Sequence, residues 1–469
     1  MGNVRLLIDF GSTFTKVVAV DSGKGEVLAR SQVPSTVEED ITIGLKQALE
    51  KIDAAAHTGP EEEKEALACS SAAGGLRVVS IGFVPELTVE AATRAALGAG
   101  ARIVGCYSYE LTSRELTEIG EISPDIILLA GGTDGGDKRV ITHNARMLSR
   151  LDLRRVYIVV AGNKTAYDGI REIFNTGIKN VRFTKNVMPE IGRLETEHCN
   201  REIRDIFIRN IIEAKGIARA RAIVKDIIMP TPSAVLAAAQ LLAEGYRDEE
   251  GLGEVIVVDV GGATTDVHSV AAGRPAHGDV IVTGLPEPYV KRTVEGDLGV
   301  RHNITTLVEQ LKLRGRLPDN SYAEAIEGLS AVGRLPQNAA QYSVDTMLAT
   351  VAVEVAMERH AGRVEIVYGP MGEMAVQRGK DLTEVRHVVG TGGPIVFSRD
   401  PGAILDAVLF RETSPHILRP RAPRFYVDTE YILYAAGLLA QTEPKAALAL
   451  MKGHLTRYKP APRHVPAVT

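Results

Sequence analysis

The chain has 469 residues, more than one hydrophobic core normally organises, with 45% hydrophobic residues, 24% charged residues and no tryptophan. That composition excludes a fibre or a disordered chain, and a net charge of −5 gives no general reason to bind nucleic acid or an anionic membrane. Three cysteines, Cys69, Cys106 and Cys199, form no CxxC pair, so neither a disulfide framework nor a thiolate metal site is expected and a reducing cytoplasm fits.

The N-terminus enters a strand-like run almost at once, leaving no room for a signal peptide, and no apolar stretch approaches the roughly 18 residues that span a bilayer. VRLLIDF, TKVVAVD and EVLARS, with a turn at Ser22 to Gly25, read as a three-stranded meander. Ile41 to Ala56 has helical spacing, and Ala66 to Ser70 reads as a fourth strand leading to a turn at Gly74 and Gly75. Arg102 to Tyr107, Asp125 to Ala130 and Val156 to Ala161 are strand-like, with helical pieces between them. They predict parallel βαβ units in an inserted α/β domain. A long helix near 200 to 226 follows, its basic residues reading as a solvated face, and then a helix after Pro232.

The second half repeats the opening: strands at Val255 to Asp259, Val267 to Ala271 and His277 to Thr283, with a turn at Gly273 to Pro275. Val364 to Tyr368, Val388 to Val396, a basic proline-rich loop at Thr413 to Arg424 and an apolar helix at Thr429 to Gln441 come next. The final KPAPRHVPAVT reads as a disordered tail.

Two strand ends carry chemistry. An aspartate followed by glycine and hydroxyls suits a metal-bound polyphosphate: glycine admits close backbone, hydroxyls donate, and the carboxylate holds a divalent cation directly or through water. The first set is Asp9, Gly11, Ser12, Thr13 and Lys16; the second is Asp259, Gly261, Gly262, Thr264, Thr265 and Asp266. Either alone reads equally as an ordinary turn. Two of them, each opening a similar meander, predict two facing lobes that each supply one jaw of a phosphate clamp. Gly390, Gly392 and Gly393, between two apolar runs, would let backbone pack flat against a base or ribose. GGTDGG at Gly131 to Gly136 lacks both the GxGxxG spacing and the Lys-Ser/Thr of a P-loop, so a turn or partner contact is expected there.

The order DFGSTFTK, DVGGATTD, VGTGGP resembles the phosphate 1, phosphate 2 and adenosine motifs of the actin, Hsp70 and sugar-kinase superfamily of ATPases. ACSSAAGGLRVV, LLAGGTDGGD, KRTVEGDLGVRHN and HVVGTGGPIVFS narrow the resemblance to the accessory proteins encoded beside adenosylcobalamin-dependent glutamate (methylaspartate) mutase, the MutL type. This resemblance implies an α/β fold of two ribonuclease-H-like lobes with an inserted α/β domain. The expected boundaries are 1–85 for the first part of lobe I, 86–200 for the insert and 201–250 for a helical return to lobe I. Lobe II would take 251–427, and C-terminal helices and tail 428–469.

The activity implied is ATP-dependent reactivation of a mutase that has retained damaged cobalamin, with ATP and Mg²⁺ as cofactors and the insert facing the partner. Asp9 and Asp266, at a solvent-reached cleft, would hold Mg²⁺ through waters. Asp259 would orient the attacking water or complete the metal shell. Lys16, Ser12, Thr13, Thr264 and Thr265 would bind phosphate oxygens. Glu295 and Asp297 would close over nucleotide or metal, or form a surface acidic turn. The acidic or glutamine residue of many relatives is not evident in PTPSAVLAAAQ, which leaves the water-activating group open. Ala271 stands where a DxHxxG cobalamin motif needs glycine, so direct cobalamin ligation is not expected. A small-metabolite kinase and an actin-like scaffold are the alternatives; no segment clearly supplies a kinase's general base beside a second pocket.

Overall fold

The computed structural model describes residues 4–458, apart from position 12 and the segments 37–38, 57–64, 72–75, 176–179, 214–225, 276–277, 279, 317–321, 331–333 and 370–371. Ser12, the Gly74–Gly75 turn, the distal part of the 200–226 helix and the C-terminal tail therefore lie outside the described residues.

Lobe I opens with β1 (Val4–Phe10), β2 (Phe14–Asp21) and β3 (Glu26–Pro34), an antiparallel meander followed by α1 (Ile41–Ala56). β4 (Glu65–Ser70) pairs parallel with β1, and β10 (Asp226–Pro230) pairs parallel with β4, giving the order β10-β4-β1-β2-β3. The inner strands are apolar on both faces because both are covered. Leu6, Ile8 and Phe10 pack with Leu45 and Ile52 of α1, while Leu7 turns the other way, into a core shared with lobe II.

Between β4 and β10 the chain makes a second sheet from β5 (Arg77–Gly82), β6 (Arg102–Ser108), β7 (Ile126–Leu129), β8 (Tyr157–Val160) and β9 (Val181–Phe183). These strands are parallel, in the order β6-β5-β7-β8-β9. Helices α2 (Glu90–Gly98), α3 (Ser113–Ile122), α4 (Arg139–Leu148), α5 (Tyr167–Phe174) and α6 (Glu197–Glu213) accompany it. The inserted sheet thus begins at Arg77 rather than after the expected boundary at 85. Val78, Val79 and Ile81 are fully buried, which makes β5 the inner strand between β6 and β7.

After α7 (Thr231–Glu244) and a short hairpin of β11 (Gly245–Tyr246) and β12 (Glu249–Glu250), lobe II repeats lobe I. β13 (Val255–Val260), β14 (Thr265–Val270) and β16 (Val290–Glu295) form the meander. β19 (His387–Thr391) and β20 (Arg424–Val427) add in parallel, and β21 (Thr456–Tyr458) closes the edge. The order β16-β14-β13-β19-β20 matches that of lobe I strand for strand, the ribonuclease-H-like order twice in one chain. One expectation is corrected. The third meander strand is Val290–Glu295, whereas β15 (Ile281–Thr283) joins a separate small sheet with β17 (Arg363–Gly369) and β18 (Gly372–Arg378). Both segments are apolar enough for a strand, and periodicity alone does not choose a partner. Helices α8 (Ile304–Leu313), α9 (Ala323–Leu329), α10 (Ala339–His360), α11 (Gly393–Val396) and α12 (Pro401–Leu405) belong to this lobe.

The lobes are joined by α7 and α13 (Leu433–Leu439), with α14 (Pro444–His454) beside them. Leu7 and Val18 of lobe I, Val257 and Val389 of lobe II, and Ala238, Leu242, Ala435 and Leu438 of the helices form one buried cluster. α7 and α13 cross so closely that a Cβ on Gly437 would lie 1.8 Å from the Ala234 carbonyl oxygen. The insert also reaches lobe II: Arg94 of α2 donates to the Pro286 carbonyl at 2.7 Å and to Glu287 at 2.6 Å. No helix among the described residues is long and apolar enough to cross a membrane.

Gly437→Ala is expected to destabilise the chain by about 1–3 kcal/mol in chemical denaturation, since the helices must part to admit one methyl group. Gly453→Ala, in α14 with nothing within 4 Å of the new carbon, should be neutral or stabilising by about 0.5–1 kcal/mol.

Candidate functional site

The two meanders end in the same turn. The Gly11 amide donates to the Phe14 carbonyl at 3.0 Å, and the Gly261 amide donates to the Thr264 carbonyl at 2.8 Å. A side chain at position 11 would meet the Phe14 carbonyl at 2.5 Å, so the turn requires glycine there. Across each hairpin the pairing is equivalent, Asp9 opposite Lys16 and Asp259 opposite Asp266. Lys16 therefore holds in lobe I the place that Asp266 holds in lobe II. The turns also meet each other: a Cβ on Gly262 would stand 3.2 Å from the Thr13 hydroxyl.

Between them lies a cavity of about 350 Å³. Asp9, Gly11, Thr13 and Lys16 of the first hairpin line it, as do Asp259, Gly261, Gly262, Thr264 and Asp266 of the second, with Gly393 at the start of α11. Five sequence candidates stand elsewhere. Thr265 is fully buried and donates to the Leu298 carbonyl at 2.8 Å. Glu295 is opposite Thr265, on the sheet face away from Asp266, and pairs with Arg359, as does Asp297. Gly390 lies within β19 against Leu405, and Gly392 against the Val260 backbone; neither lines the cavity.

The carboxylates differ in their partners. Asp9 accepts from the Lys16 ammonium at 2.8 Å and from the Thr231 hydroxyl, at the start of α7, at 2.6 Å. Burial opposes the Lys16 charge, yet Asp9 and Tyr431, whose ring lies 4.1 Å from the ammonium, hold the amine well above the usual lysine range. Asp266 accepts from Arg292 at 2.8 Å through Oδ2, while its Oδ1 has no hydrogen-bond partner among the described residues. The same guanidinium donates to the Leu97 carbonyl, in the last turn of α2, at 3.1 Å. Asp259 makes no side-chain hydrogen bond among the described residues. Burial first and the Asp266 charge second push its carboxyl up to about 7, with Lys16 pulling the other way. Asp428 accepts from Thr391 at 2.8 Å and from the Ile432 and Leu433 amides at 2.9 and 3.0 Å, and burial pushes its carboxyl up.

Asp9 and Asp266 both line the cavity with little of their own surface open. They are 1% and 3% exposed, and each is ion-paired at the cavity wall. Sequence reasoning also missed Thr231, Arg292, Arg301, Asp428 and Tyr431. Arg301, paired with Asp345, lines the cavity as well. Arg292 and Arg301 lie in the KRTVEGDLGVRHN segment, where the acidic residues drew attention first.

Magnesium suits this donor set through its water shell and phosphate oxygens, because it sheds water reluctantly. Among the described residues no three His, Cys, Asp or Glu side chains converge closely enough to hold an ion directly. The free oxygen of Asp266 and the unpartnered Asp259 would receive such waters.

A raised carboxyl pKa means that the native state favours the protonated form. Asp259 thus adds stability that is full below the unfolded pKa near 4 and lost as pH rises through about 7. Asp259→Asn should therefore gain on the native chain in denaturation free energy between pH 5 and 7, by roughly 1–2 kcal/mol, with no further gain above pH 8. A constant difference across that range would refute the assignment.

Residues 5–455 match the family described as MutL protein. A relative from Clostridium tetanomorphum, described as Protein MutL, is 48% identical over 458 residues, covering 96% of this chain and 99% of its own. Among solved structures, a glycerol dehydratase reactivase aligns at 12% identity over 93% of this chain and 99% of its own, with a TM-score of 0.34. The xylulose kinase of Bifidobacterium adolescentis aligns at 10% identity over 97% and 96%, with a TM-score of 0.32. At these scores neither superposition adds to what the strand orders establish. By the family match and the nearly full-length identity, this chain belongs to the MutL protein family.

Proposed function

We propose that the cleft binds and hydrolyses Mg-ATP, and that the cycle of lobe closure reactivates an adenosylcobalamin-dependent mutase, glutamate mutase foremost, by loosening it until damaged cobalamin leaves. The carrying observation is the pair of register-equivalent hairpins that face one cavity with Asp9, Asp259 and Asp266 in its wall. Thr13, Thr264 and the turn glycines would take phosphate oxygens, and Lys16 would offset charge on the outer phosphates. Magnesium, when bound, would neutralise the triphosphate and polarise its oxygens. Hydrolysis joins a water oxygen to the γ-phosphorus, breaks its bond to the bridging oxygen, and yields ADP and inorganic phosphate. Asp259, with its carboxyl pushed up to about 7 and no side-chain hydrogen bond among the described residues, would orient that water and take its proton. The inserted domain would face the mutase, since it is the large element outside the two repeated lobes.

The direct test incubates cobalamin-inactivated glutamate mutase with this chain, Mg-ATP and fresh adenosylcobalamin. Turnover should return only when ATP is present. ATP consumption that depends instead on a small hydroxylated compound would favour a kinase, and nucleotide-dependent sedimentation without reactivation would favour a scaffold. Asp259→Asn should lower steady-state ATP hydrolysis by about a hundredfold or more while ATP still binds. Native-rate hydrolysis by that variant would remove Asp259 from the mechanism.

A further inference from the structure

The inserted domain puts a residue of its own into the cleft. Gly100 and Arg102, at the entry to β6, both line the cavity. A Cβ on Gly100, whose φ is +93°, would lie 2.8 Å from the Ser233 hydroxyl and 2.9 Å from Pro230. This clamps the entry to β6 against the first turn of α7, where Thr231 holds Asp9. The Arg102 side chain lies across the backbone of Gly296, where a Cβ would fall 2.0 Å from its Nε. The guanidinium thus rests on the Gly296 backbone, half-buried, with no side-chain hydrogen bond among the described residues and with Asp297 acting on it through space. Asp297, the acidic neighbour, is occupied: both its oxygens accept from Arg359, at 2.8 and 2.9 Å.

Arginine keeps its charge at any physiological pH, and its planar fork matches two oxygens of a phosphate or carboxylate. Asp297 acts on Arg102 only through space, so the guanidinium keeps unspent N–H donors at a cavity wall, which the oxygens of a bound anion would satisfy. The cavity also shows where such an anion would lie. Arg292 and Val294 share one face of β16, Val294 is directly opposite Asp266, and Gly296 is the first residue past the end of the strand. Arg102 therefore lies at the end of the strand that faces Asp266, in the wall of the same cavity, and Asp266 Oδ1 is unpartnered among the described residues.

We propose that Arg102 receives oxygens of the terminal phosphate of the nucleotide, so that the inserted domain distinguishes ATP from ADP directly. The proposal rests on the reading of the cleft as a Mg-ATP site. With the terminal phosphate present, the strand that carries Arg102 is bound to the nucleotide; once that phosphate has left, the guanidinium loses those oxygens and β6 loses the tie.

Calorimetric titration of the full chain with Mg-ATP and Mg-ADP tests this. Arg102→Gln should weaken ATP binding about tenfold or more and leave ADP binding within about twofold, as expected for a lost charge-assisted hydrogen bond. Arg102→Lys should fall between, keeping the charge without the fork, and carries the comparison if the glutamine variant fails to fold. In hydrogen exchange, ATP should protect amides 100–108 more than ADP does in the native chain, and the difference should vanish in Arg102→Gln. An unchanged ATP-to-ADP ratio, or equal loss for both nucleotides, overturns the role of Arg102 while leaving the cleft assignment standing. A native chain that binds neither nucleotide overturns both.

Discussion

The cleft exists because two helices cross with almost nothing between them. At Gly437 the backbone of α13 rests on that of α7 at Ala234, and this contact sets how near the inner strands of the two sheets can come. α7 begins at a carboxylate of the cavity wall, and α13 at a fully buried one whose charge acts on Asp259. Thr231 in the first turn of α7 bonds Asp9, and Asp428 accepts the Ile432 and Leu433 amides at the start of α13. The apolar packing that joins the lobes and the polar floor between them are thus two ends of the same pair of helices. A helix N-terminus favours negative charge, so the arrangement helps to hold acidic groups where burial alone would neutralise them.

Charge around that floor is unbalanced. Asp9, Asp259, Asp266 and Asp428 stand near the strand ends, and Lys16 and Arg292 answer two of them directly. The Asp428 carboxyl is pushed up by burial but held by two amides and a hydroxyl, whereas Asp259, pushed up by burial first and the Asp266 charge second, has no side-chain hydrogen bond among the described residues to offset it. Asp259 in this condition costs stability once it is ionised. Local cost of this kind is common where a structure is prepared for chemistry.

Much of this was legible in the residues. Aspartate, glycine and hydroxyls at the ends of two apolar runs marked both hairpins, and the repeat of strand, turn and strand marked the duplicated lobes. What escaped was pairing at long range. Arg292 reaches Asp266 from a neighbouring strand, and Thr231 reaches Asp9 from 222 residues away. No local pattern encodes such partners. Thr265 is a different case, because alternation along β14 already implies that it faces away from Asp266, and its register partner Glu295 with it. The start of the insert was misplaced because β5 follows a glycine-rich segment and resembles the tail of the preceding motif. β15 was assigned to the wrong sheet because a short apolar run specifies a strand without naming its neighbour.

The insert leaves lobe I after β4 and returns through β10, and those strands lie side by side in one sheet. Such a cassette could be exchanged in the course of descent without rewiring the sheet that hosts it. Arg94 and Arg292 restrict that freedom, since one reaches from the cassette to Glu287 and the other from lobe II to the Leu97 carbonyl. A replacement cassette would therefore have to offer Glu287 a cation and Arg292 a backbone carbonyl at the same places.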